Sequence, residues 1–153
     1  MKIILLILTL PFLVSGCGVF EGLTNEEEII TESTADADVT YVRAVQNTET
    51  TWTFYVTVEH PDTGWEDYAD GWDVVLPDGT VITPDTSSSF TRLLLHPHEN
   101  EQPFTRSQSG INIPAEASIV TVRAHDIVDG FGGQEITVDL TVAEGDNYEV
   151  SAQ

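Results

Sequence analysis

Thr51-Trp52-Thr53-Phe54-Tyr55-Val56-Thr57-Val58-Glu59 decides the class of fold. In an extended chain successive side chains point to opposite faces, so Trp52, Phe54, Val56 and Val58 share one side and Thr51, Thr53, Tyr55, Thr57 and Glu59 the other. The apolar side has to face a core. The same two-residue period returns on both flanks, with Gly, Pro, Asp and Asn between the runs. Upstream, a strand is expected over 39–46. Downstream, Trp72, Val74 and Leu76 begin another, and Pro77-Asp78-Gly79-Thr80 turns the chain back through Val81 and Ile82, with Pro fixing φ and Gly accepting positive φ. Residues 90–96 read as a further strand, with Leu93-Leu94-Leu95 suggesting burial on both faces. Another falls at 104–113. Val120, Val122 and Ala124 alternate with Thr121, Arg123 and His125, and Ile136, Val138, Leu140 and Val142 form the last strand. The expectation is an all-β fold, one antiparallel sandwich of seven or eight strands.

The stretch 118–142, a strand, Ala124-His125-Asp126, a glycine loop and a strand, resembles the final hairpin of bacterial immunoglobulin-like and fibronectin-type domains. That resemblance implies an immunoglobulin-like sandwich over 39–153. It implies no activity, because such folds host adhesion, carbohydrate binding, metal binding and plain spacing.

The N-terminus carries an address. After Met1 and Lys2, an apolar run extends from Ile3 to Val14, followed by Ser15 and Gly16 ahead of Cys17. That is the layout of a secretory signal, too short to span a bilayer as a mature helix. Leu13-Val14-Ser15-Gly16-Cys17 resembles the lipobox of bacterial lipoproteins. The resemblance implies that Cys17 receives a diacylglycerol, that the signal peptide 1–16 is removed and that the new amine is acylated. Each buried methylene contributes about 0.8 kcal/mol, so two or three chains make a persistent membrane anchor. Cys17 is the single cysteine and has no internal disulfide partner. Gly18 stands where inner-membrane retention signals of that family place Asp, so the cell envelope is the expected location, with the outer membrane favoured in a two-membrane cell. Residues 17–38, with Glu26, Glu27, Glu28 and Glu32, read as the lipidated cysteine and a flexible acidic tether.

Charge narrows the partners. The chain holds 26 acidic and 5 basic residues, a formal net charge of −21. Removal of the signal peptide leaves Arg43, Arg92, Arg106 and Arg123 as the cations. Such a surface disfavours nucleic acid and anionic lipid headgroups, and suits solubility, salty water or cation binding. An envelope protein or a glycan remains as partner class.

Two stretches are dense in ligand atoms. Leu93 to Arg106 reads LLLHPHENEQPFTR, and in an extended backbone His96 and His98 project to one side, with His125 and Asp126 as further zinc or copper ligands if the loops meet. Topology decides that meeting. If 81–83 only extends its hairpin, His60, His96, His98 and His125 come to one pole; if it is a full strand, His96 moves to the opposite end from His60. The loop 60–71 offers Asp62, Glu66, Asp67 and Asp70 as oxygen ligands for calcium, without EF-hand spacing, and Trp65 and Tyr68 as stacking rings. The bland alternative is that these groups hydrogen-bond loop backbones. No GxSxG, HExxH or phosphate-cradling glycine loop occurs, and Ser107 and Ser109 have no evident base beside them. The reading is a lipid-anchored, non-catalytic binding module that requires no cofactor, with a metal-binding lipoprotein built on the His96-His98 segment as the alternative.

Overall fold

A computed structural model describes residues 35–152. Cys17, the signal peptide and most of the acidic tether lie outside the described residues. Two sheets face each other. The first has strand order β5-β2-β1-β9-β8 and the second β4-β3-β6-β7. The strands are β1 (Asp38–Gln46), β2 (Thr51–Glu59), β3 (Ala69–Val75), β4 (Arg92–Leu93), β5 (Phe104–Asn112), β6 (Ile119–Asp126), β7 (Ile136–Asp139), β8 (Glu144–Gly145) and β9 (Tyr148–Ala152). The protein is an all-β sandwich. No helix among the described residues is long and apolar enough to cross a membrane.

The alternating rows build the core. Trp52, Phe54, Val56 and Val58 of β2, Val42 and Ala44 of β1, and Phe104 and Ile111 of β5 meet Trp72, Val74, Val120, Val122, Ala124 and Val138 of the second sheet. Burying each large apolar side chain contributes about 1.5–3 kcal/mol, the main force holding the sheets together. Register follows the rows: Val42 lies opposite Val56 and Ala44 opposite Phe54.

Several expectations need correction. Residues 77–79 form the hairpin turn, with Gly79 at φ 86° and hydrogen bonds Gly79 N–H to Leu76 O and Leu76 N–H to Thr80 O, each 2.9 Å. The return, however, is a single bridge between Val75 and Val81. Thr91 explains why. Its buried hydroxyl accepts from Val74 N–H at 2.8 Å and donates to the Ile82 carbonyl, standing where a direct ladder bond would run. Only Arg92 and Leu93 pair within 90–96, and of the three leucines Leu94 alone is buried. β4 is an edge strand whose outer side none of the described residues covers, so Leu93 and Leu95 stay 50% and 68% exposed. The last strand ends at Asp139, and β8 and β9 follow it. β9 crosses to the first sheet and runs parallel to β1, so that sheet is not wholly antiparallel.

The start of the domain is also earlier than the alternation from Val39 suggests. Ala35 and Ala37 are 5% and 1% exposed. Val39 N–H donates to Gln134 O at 2.8 Å, and the Asp38 carboxylate accepts from Gln134 N–H. Gly133 allows this approach, since a Cβ there would overlap the Ala37 carbonyl.

Candidate metal centre

Pairing brings five strand ends to one pole. Asp38 at the start of β1 lies opposite Glu59 at the end of β2. Phe104 at the start of β5 pairs with Val58, and Ala69 at the start of β3 pairs with Asp126 at the end of β6. The inward row of β2 runs Phe54, Val56, Val58 and, one step past the strand, His60, which is 2% exposed. The inward row of β6 runs Val120, Val122, Ala124, Asp126, which is likewise 2% exposed. Two inward rows on opposite sheets therefore place an imidazole and a carboxylate face to face at the end of the core.

Asp62 orients the imidazole. Its Oδ1 lies 2.6 Å from His60 Nδ1 and accepts from Ala69 N–H at 3.2 Å, while its Oδ2 accepts from His98 N–H. A carboxylate so supplied with donors is an acceptor, which makes Nδ1 the proton-bearing nitrogen and points Nε2 away from Asp62. Nε2 faces three carboxylate oxygens: Asp36 Oδ1 at 3.0 Å, Asp126 Oδ2 at 3.6 Å and Asp67 Oδ1 at 3.7 Å. Among the described residues, Asp36, His60 and Asp126 form a set whose ligand atoms all lie within 4.8 Å of one another. Arg43, Arg106 and Arg123 pair with Glu149, Glu101 and Asp73 instead, and no arginine among the described residues pairs with this acidic group.

The histidines singled out in the sequence gather near this pole but do not share a point. His125 and Asp126 are neighbours on β6, and the strand period sends them to opposite faces. His125 Nδ1 bonds Asp70 Oδ1, and its ring packs on Phe90 at 5.0 Å and Phe131 at 4.7 Å between centroids. His96 is exposed, with its ring centroid 4.5 Å from that of His98. His98 is buried and stacked on Phe104 at 3.7 Å, and neither of its ring nitrogens has a hydrogen-bond partner among the described residues. Burial, then the nearby Arg106 and His96, push its pKa below the ordinary histidine value. No third His, Asp or Glu among the described residues joins His96 and His98 within metal-ligand spacing.

The four carboxylates offered for calcium separate as well. Asp62 is consumed by the donors named above, Glu66 is exposed, Asp70 belongs to His125, and Asp67 leans toward His60 Nε2 while accepting from Thr63 Oγ1 at 3.3 Å. Asp36 lies inside the stretch read as tether. The small apolar pair Ala35 and Ala37 around it, in step with Val39, is the signal that could have placed it.

An imidazole with its outer nitrogen held by a carboxylate, facing further carboxylates, is a donor set suited to a divalent cation. No family model matches the chain, and no solved structure matches it. The chain is similar to a protein of Halomicrobium mukohataei named "Putative lipoprotein", with 41% identity over 86 residues. That match covers 56% of this chain but only 38% of the relative, so the chain spans well under half the length of the protein it resembles.

Proposed function

We propose that this chain is a lipid-anchored protein of the cell envelope whose immunoglobulin-like sandwich serves as a non-catalytic binding module, joined to the membrane through Cys17 by an acidic spacer. The observation that carries the anchor is the apolar N-terminus ending at the chain's single cysteine, together with a similar protein named as a lipoprotein. The immunoglobulin-like assignment is supported by strand order. With β1, β2, β3, β5, β6 and β7 lettered A, B, C, E, F and G and β4 as the extra strand C′, the sheets read E-B-A, continued by β9 and β8, and C′-C-F-G, and a fully buried Trp72 sits on strand C.

Two exposed features support the binding reading. Leu93 and Leu95 project from the edge of the second sheet beside a cleft of about 420 Å³ that Phe90 and Gln108 also line. Trp65 is 67% exposed and meets Tyr68 edge-on at 6.0 Å, a platform suited to a sugar ring or a partner's apolar side chain. Mass spectrometry of the membrane-extracted protein tests the anchor. The mature chain is expected to begin at Cys17 with a lipid adduct, and Cys17→Ala to stay uncleaved and unlipidated. Maturation of Cys17→Ala into a detergent-partitioning form identical to wild type would overturn the reading.

A further inference from the structure

We propose that His60, Asp36 and Asp126 bind a divalent transition ion of the zinc class, and that this ion pins the first residues of the domain to the ends of β2 and β6. The inference does not depend on the lipid anchor. Zinc bonds of about 2.0–2.1 Å in tetrahedral geometry put neighbouring ligand atoms about 3.3 Å apart. The separations from His60 Nε2 to Asp36 Oδ1, 3.0 Å, and to Asp126 Oδ2, 3.6 Å, bracket that edge. Asp126 reaches the same point from the opposite sheet. Its side chain is 3% exposed, its Oδ1 accepts from Val128 N–H at 2.7 Å, and its Oδ2 lies 3.6 Å from the buried His60 Nε2. A cation between the two would offset the cost of burying the carboxylate.

One imidazole among few oxygens selects a zinc-class ion over calcium, which takes six to eight oxygen ligands. Asp62 is the carboxylate behind the histidine that fixes ring orientation and raises ligand basicity. Asp36 gives the ion its mechanical role. It sits between buried Ala35 and Ala37, where the N-terminal segment joins the sandwich.

The test is zinc titration of the full-length protein in detergent after EDTA dialysis, followed by calorimetry, with hydrogen exchange of the segment 35–42 read in parallel. Binding of one zinc per chain is expected, weakened at least tenfold by Asp36→Asn, unchanged by Asp78→Asn, and accompanied by slower exchange at 35–42. Asp36 is 57% exposed on its side chain, so its substitution spares the core. His60→Gln supplies the second variant and is expected to abolish binding. Zinc binding that survives both variants, no binding at all, or calcium binding as tightly as zinc would each overturn the proposal.

Discussion

Two histidine–aspartate couples sit near the same pole and differ in one respect. In both, a carboxylate engages Nδ1: Asp62 for His60 and Asp70 for His125. The second nitrogen of His60 faces the carboxylates of Asp36, Asp126 and Asp67. The ring of His125 instead lies among Phe90 and Phe131, with Arg123 over Phe131 at 3.8 Å. A histidine beside an acid is therefore not in itself a ligand. The groups that meet its other nitrogen decide between a cation site and a packed surface pair, and the strand period decides which groups those are.

Substitutions separate the two couples by size of effect. Asp62→Ala strips the acceptor from His60 Nδ1, Ala69 N–H and His98 N–H within the buried pole. It is expected to lower metal-free unfolding free energy by about 3–5 kcal/mol in urea titrations, as for a broken buried ionic network. Gly133→Ala drives a Cβ into the Ala37 carbonyl and should cost about 1–3 kcal/mol by overpacking, with weaker zinc binding through the displaced Asp36. A Gly133→Ala protein with unchanged zinc affinity would detach Asp36 from the account. His125→Ala, removing a ring 24% exposed, should cost about 1–2 kcal/mol and leave the zinc response intact.

The pH dependence isolates His98. Its pKa is lowered in the folded state, mainly by burial, so the folded protein binds fewer protons than the unfolded chain near that pH. The stability it permits is present above the ordinary histidine value and is lost as pH falls through the folded value. Asp62 and Glu101 oppose the shift, while Arg106 and His96 reinforce it. Wild type should therefore lose stability relative to His98→Phe when urea midpoints are compared at falling pH. Parallel midpoints for the two proteins would show that His98 takes up its proton without penalty.

The rows on β2 and β6 were legible because apolar residues alternate there against a covered face, whereas a bulge between Val39 and Tyr41 breaks the period of β1. Leu93-Leu94-Leu95 misled because a leucine run signals burial only where both faces are covered, and β4 is an edge. β9 escaped notice because its apolar content is two half-buried residues, Tyr148 and Val150, after an Asp-Asn turn. At the pole, Asp126 was visible as a ligand type, but its inward side is a matter of strand phase. Asp36 contacts His60 across 24 residues, a pairing that exists only once β1 and β2 are in register. Thr91 shows the same limit, since its place between Val74 and Ile82 follows from the fold rather than from its neighbours in the chain.

Anomalous diffraction from crystals grown with one equivalent of zinc tests the central claim most directly. The account predicts one zinc peak about 2.0–2.2 Å from His60 Nε2, Asp36 Oδ1 and Asp126 Oδ2. A peak instead at His96 and His98, or none at the His60 pole, would contradict it.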